Sequence, residues 1–139
     1  MMKLEMVLVV LILSWEGSFG QRSDIKFGKI SKEEIEMNHY NMDTTAKAAV
    51  LYDAGYFRSS NFTFTRHLRI KIFDHGGTGF GNFVIQAPDK SFIKGITFNL
   101  EGGTVSETKL TNDHIYLERI IEDFELYKIF FPNVKPGRS

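Results

Sequence analysis

From Phe62 to Asp74 the chain reads FTFTRHLRIKIFD, and apolar and polar positions alternate along it. Phe62, Phe64, Leu68, Ile70 and Ile72 share one parity; Thr63, Thr65, His67, Arg69 and Lys71 share the other. A side-chain period of two belongs to a strand with one face on a core, so the stretch predicts a long, half-buried antiparallel strand. Arg66 falls on the apolar parity. A lone charge is costly to bury, so it should pair with a carboxylate or lie at the rim of the sheet.

The pattern before this strand is shorter-ranged. Residues 21–30 are polar around an isolated Phe27 and read as a lead-in segment or edge strand. Ser31-Lys32-Glu33-Glu34 has the capping-box spacing, and with Ile35 and Met37 it predicts a helix of at most two turns, stopping near Asn38. Ala48–Asp53 is a short apolar run, expected as a strand that bends at Gly55, and Arg58–Asn61 is a loop.

After the long strand, His75–Gly79 is expected as a flexible turn and Phe80–Ala87 as a returning strand. Pro88–Ser91 turns again, and Phe92–Leu100 resumes alternation. Glu101-Gly102-Gly103 is a hairpin signal, because glycine takes positive φ without steric cost. Its partner Thr104–Leu110 has Val105 as its main apolar residue and reads as an exposed edge, blunted by Glu107 and Lys109. His114–Asp123 is open between strand and distorted helical turn; Phe124–Phe131 is a strand. Pro136-Gly137 suits the centre of a type II turn.

Composition adds little chemistry. The 139 residues suffice for one domain, and 13 phenylalanines favour strands with a packed face. Basic and acidic residues balance at 17 each, which argues against nucleic acid as a partner. The absence of cysteine excludes disulfides, thiolate metal sites and a cysteine nucleophile. Residues 1–20 have the form of a signal peptide: Lys3, then the apolar run Met6–Leu13, too short to span a bilayer, then Ser18-Phe19-Gly20 before a cut at Gln21. Glu5 and Glu16 fit that form poorly. Removing the leader leaves 16 basic against 15 acidic residues in a single mature domain, 21–139, with no membrane span, exported to the periplasm or beyond the cell.

Candidate constellations are sparse. Asp74-His75 lacks the further ligands that fix a metal geometry, and His39 and His114 with Asp113 stand far off in sequence, so solvated loop histidines are the preferred reading. Gly76-Gly77-Thr78-Gly79-Phe80-Gly81 resembles a phosphate cradle, but β-like residues follow it where a helix should open, so a hairpin turn is preferred. His67, Arg69 and Lys71 form a polar row that is either a partner face or, preferably, a solvated outer face. Tyr116, Glu118, Glu122 and Asp123 have acid–base capacity, but no second group is placed opposite them. Asn61-Phe62-Thr63 is read as a chance sequon. No catalytic, cofactor or metal residue is assigned.

Several stretches in order carry a family resemblance: KFGKISKEEIEM at 26–37, VLYD at 50–53, RHLRIKIFD at 66–74, TFNLEGG at 97–103 and FPNVKPG at 131–137. Together they resemble the uncharacterised N-terminal domain of bacterial exported transglutaminase-like proteins, over nearly all the mature chain. The resemblance implies an antiparallel β-sandwich behind a signal peptide, followed in the family by a transglutaminase-like papain-fold domain. Two departures stand out. The loop at 57–61 is shorter. Family members also continue past the asparagine–valine turn through further strands and then the Cys-His-Asp domain, of which no residue has a counterpart here.

The expectation is therefore a mainly β, incomplete antiparallel sandwich with one short helix, non-enzymatic, acting to position or regulate a catalytic domain. The alternative is a free-standing module that binds cell-surface glycan or protein through His67, Arg69 and Lys71 and aromatic loops near Phe57 and Phe80. A small hydrolase or metalloenzyme is disfavoured. An incomplete sandwich leaves strand edges unpaired. The isolated chain is thus predicted to be marginal, to aggregate or to dimerise; a sharp, reversible, monomeric melt in calorimetry and light scattering would contradict this.

Overall fold

A computed structural model describes residues 2–6, 25–121 and 124–137. The fold is mainly β. A five-stranded sheet is built from β1 (Met2–Met6), β2 (Ala48–Arg58), β3 (Thr63–Ile72), β5 (Ile93–Glu101) and β6 (Thr104–Lys109), in the order β2-β3-β1-β5-β6. A three-stranded sheet holds β4 (Asn82–Ala87), β7 (Ile115–Ile121) and β8 (Phe124–Phe130), in the order β4-β8-β7. One short helix, α1 (Lys32–Glu36), precedes β2. No helix among the described residues is long and apolar enough to cross a membrane.

The expected long strand is present as β3, although its burial does not alternate: His67–Ile72 are all buried. Leu68, Ile70 and Ile72 turn one way and join Ile93 with Ile85, Ala87, Ile115, Tyr127, Ile129 and Phe131 in one buried cluster. Residues from both sheets meet there, so the two sheets share one core. Arg66 lies at the rim, where it donates from Nε and Nη2 to the Asp53 carboxylate at 2.8 and 2.7 Å.

Local signals explain most boundaries. Ser31 Oγ accepts from the Glu34 amide at 3.1 Å while the Glu34 carboxylate accepts from the Ser31 amide at 2.7 Å, completing the expected capping box. Gly102 and Gly103 take φ of +56° and +81° and turn β5 into β6. His114–Asp123, open from sequence, begins with a 3-10 turn and becomes β7, paired antiparallel with β8 across a bulge between Leu117 and Arg119.

Four expectations need correction. The strand expected at Ala48–Asp53 runs on through Gly55 to Arg58, because β3 offers it a continuous antiparallel partner from Ile72 back to Thr63. His75–Gly81 is a 3-10 helix, capped by Asp74, whose carboxylate accepts from the Gly76 amide at 2.7 Å. The five-stranded sheet is not wholly antiparallel, since β1 lies parallel to both β3 and β5. β1 falls inside the stretch read as a leader, whose remaining residues, 1 and 7–20, lie outside the described ones.

The fourth correction concerns the polar face of β3. His67, Arg69 and Lys71 are only 5%, 2% and 2% exposed, so they form no solvated outer face. The segment 25–37 folds over them. Its Phe27, Ile30, Ile35 and Met37 pack with Leu51, Tyr52, Ile96 and Phe98 in a second, smaller core. The central sheet is therefore covered on both sides.

Ile129 is fully buried at the centre of the main cluster, whereas Ile120 is 64% exposed. Ile129→Ala is expected to lower unfolding free energy by about 2–5 kcal/mol, and Ile120→Ala to change it by no more than about 0.5 kcal/mol. Urea denaturation of the two variants checks the assignment of the core.

Candidate functional site

The sequence-predicted row on β3 is an internal polar ladder. His67 packs edge-on between Phe27 and Tyr52, with ring centroids 6.0 and 5.0 Å away. Burial, together with the hydroxyl contact to Tyr56, pushes the Tyr52 phenol up to about 12. Arg69 donates from Nη1 to both Glu34 oxygens at 2.9 and 3.1 Å, and from Nη2 to the carbonyls of Lys26 and Lys29 at 2.8 and 2.5 Å. The carboxylate that caps α1 is thus also the counter-charge of the sheet's buried arginine. A buried guanidinium is tolerated when its planar donors are met in this way.

Lys71 is held more sparsely. Its Nζ donates to the Ile35 carbonyl at 3.2 Å, and burial pushes its pKa down from 10.5 to about 8. It lies at the edge of a cavity of ≈ 370 Å³, with Thr97, Asn99 and Lys135 also on the wall. β1 pairs with β3 from Arg66 to Arg69 and with β5 from Ile93 to Thr97. Ile70–Ile72 of β3 and Phe98–Glu101 of β5 wall the two sides of this gap.

The segment after β8 closes the mouth of that gap. Asn99 Nδ2 donates to the Asn133 carbonyl at 2.9 Å, Asn133 Nδ2 to Thr108 Oγ1 at 3.2 Å, and Lys135 pairs with Glu101. At the other side the Gly137 amide donates to the Ile72 carbonyl at 3.0 Å. The chain therefore crosses from β5 to β3 over the cavity.

A second concave region lies between the first half of β3 and the edge strand β4. Its ≈ 700 Å³ is lined by Phe62, Phe64, Val84 and Phe92 among others, with Arg66 at its margin. Phe62, Phe64 and Val84 are 84%, 57% and 56% exposed. Phe62 also has φ of +52°, a left-handed conformation unusual and strained for a bulky residue. Only the spacing of aromatic residues in FTF hinted at this groove in the sequence; the half-buried strand reading placed Phe62 and Phe64 in the core.

The remaining candidates disperse. His75 is exposed beside the capping Asp74, His114 Nδ1 contacts Thr111 Oγ1 at 2.9 Å, and His39 Nδ1 contacts Asn38 Oδ1 at 2.5 Å. Among the described residues no group of three or more His, Cys, Asp or Glu side chains could hold a metal ion. Tyr116 packs on Phe130, Glu118 is exposed, and Glu122 and Asp123 lie outside the described residues. Thr63 Oγ1 donates to Asn61 Oδ1 at 2.6 Å, so the sequon side chains bond to each other in the turn before β3.

Comparisons with family models, with curated proteins and with solved structures find no match to this chain.

The state of Lys71 has a direct consequence for stability. Its pKa is lower folded than unfolded, so at pH 7 both forms are protonated and the folded form carries the desolvation cost. That cost fades as pH rises from about 8 toward 10.5, where only the unfolded chain remains protonated. Lys71→Met is therefore expected to be more stable than the parent at pH 7, by on the order of 3 kcal/mol. The difference should shrink steadily above pH 8; urea melts of both proteins from pH 7 to 10 measure it.

Proposed function

We propose that this protein is an exported, non-catalytic β-sandwich module that holds or positions a partner polypeptide, a transglutaminase-like papain-fold domain being the partner that the motif series suggests. The observation that carries this reading is the apolar groove beside β4. Phe62, Phe64 and Val84 stand exposed around it, and Phe62 is kept in a strained backbone conformation at its rim. Exposed apolar surface on this scale, edged by a charged side chain such as Arg66, is characteristic of a protein–protein contact. The buried polar residues of β3 support the same reading from the other side. His67, Arg69 and Lys71 face inward and hold the 25–37 segment to the sheet, which leaves them little part in recognising a glycan.

The role is tested with the purified chain and a transglutaminase-like domain expressed separately. The chain alone is expected neither to hydrolyse nor to cross-link peptides. Titration calorimetry should detect a complex that Phe62→Ser with Phe64→Ser weakens at least about tenfold, because exposed aromatic anchors dominate such contacts. Both side chains are exposed, so the melting temperature of the double variant should stay within a few degrees of the parent. Peptidase or cross-linking activity in the chain alone, or an unaltered affinity in the double variant, would sink the reading.

A further inference from the structure

We infer that the outer edge of β6 is a self-association surface. It pairs antiparallel with β6 of a second copy of this chain, about a two-fold axis at Thr108, and joins two five-stranded sheets into one. No residue of β6 lines the groove beside β4, so this surface stands apart from the partner role.

The main chain supplies the first part of the argument. Gly102 and Gly103 close a two-residue hairpin, so Glu101 and Thr104 are its hydrogen-bonded end pair, and the direction of the main-chain groups alternates along β6 from there. The Leu110 amide donates to the Gly95 carbonyl at 2.8 Å, which agrees with that parity. The amides and carbonyls of Thr104, Ser106 and Thr108 therefore point to β5, and those of Val105, Glu107 and Lys109 point outward. The edge they form is open to solvent: Val105 is 43% exposed, and Glu107 and Lys109 are exposed.

Charge fixes the register. In a two-fold antiparallel pair the residue at the axis faces its own copy, and residues equally spaced on either side face each other. With the axis at Thr108, Glu107 of each copy faces Lys109 of the other. An axis one residue away in either direction sets Glu107 against Glu107 or Lys109 against Lys109, and like charges directly opposite are destabilising. Within one copy neither side chain has an ion-pair partner among the described residues. The same register makes each Glu107–Lys109 pair one that exchanges both main-chain bonds, and leaves Thr108 in the closer, non-bonded pair, where two threonines pack well.

The other sheet ends are less suited. β2 and β7 each carry a bulge, between Val50 and Tyr52 and between Leu117 and Arg119, which twists an edge away from flat pairing. β4 borders the groove. β6 pairs with β5 over all six of its residues without a break in register.

Sedimentation of the full chain over a dilution series tests the surface. A monomer–dimer equilibrium is expected, weakening as salt screens the exposed pairs. Glu107→Lys alone and Lys109→Glu alone set like charges opposite at both pairs, and each is expected to weaken the dimer at least about tenfold. Mixing the two single variants should restore it, as should the exchange Glu107→Lys with Lys109→Glu in one chain, because opposite charges then face again. Both side chains are exposed, so the melting temperatures of the diluted variants should stay within a few degrees of the parent.

Amide exchange should slow on concentration at Glu107 and Lys109, and not at Ser106 and Thr108, which are already bonded to β5. A chain that stays monomeric up to about 1 mM, a dimer indifferent to the charge reversals, or exchange that slows along β2 in place of β6 would overturn the assignment.

Discussion

The arrangement depends on the burial of one charge. Arg69 is 2% exposed at the centre of the five-stranded sheet. A guanidinium so placed has lost its hydration and must recover it from protein acceptors. The fold does so with groups brought from far away in sequence: the Glu34 carboxylate and the carbonyls of Lys26 and Lys29. The requirement shapes the whole 26–34 segment. Gly28 takes φ of +79° in the turn that presents both carbonyls, and the Lys29 amide bonds back to Lys26 O at 3.2 Å. Glu34 sits at the third position of α1, where its carboxylate serves the helix terminus as well as the arginine. Helix start, turn and sheet are thus satisfied by one shared set of polar atoms, and the small core of Ile35, Leu51, Ile96 and Phe98 is sealed as a result.

This dependence also explains what could be read from the sequence. The capping box, the Gly102-Gly103 hairpin and the rim position of Arg66 are local or follow from one strand's parity, and each appears in the structure as expected, whereas the strand read as half-buried is buried on both faces from His67 to Ile72. The fate of His67, Arg69 and Lys71 is not local. Alternation says that two faces differ, and charge on one face is ordinarily spent on water. The signal that would have corrected this lay forty residues earlier, in Phe27, Ile30, Ile35 and Met37. Those apolar side chains need a seat, and α1 is too short to bury them by itself. The free face of the central sheet was the one seat left. The exposed groove was hidden for the converse reason: Phe62 and Phe64 share the parity of Leu68 and Ile70, but β4 does not extend far enough along β3 to cover them.

A second constraint acts on the main chain. Every buried strand edge needs a partner for its amides and carbonyls. The outer edges can be left to solvent, and β6 is short and carries Glu107 and Lys109. An edge in the middle of a sheet cannot. β3 and β5 are hydrogen-bonded outward to β2 and β6, and their inner edges depend on whatever lies between them. Among the described residues, β1 pairs with both, from Arg66 to Arg69 of β3 and from Ile93 to Thr97 of β5. The cavity walled by Ile70–Ile72 and Phe98–Glu101 differs in kind from the groove beside β4: the segment after β8 crosses over the one, while the other is a surplus of exposed apolar side chains on the surface.

That difference bears on how the two sites can coexist. The groove is rimmed by the start of β3 and the gap by its end, with Arg69 between them in the same strand. The antiparallel ladder with β2 links the two regions, from the Ala48–Ile72 pair to the Phe57–Phe64 pair, with one bulge between Val50 and Tyr52 opposite the middle of β3. Arg69 stands beside that bulge, and its hydrogen bonds to Glu34, Lys26 and Lys29 tie the middle of β3 to the 26–34 segment, so the point where the ladder is irregular is the point where the covering segment is anchored.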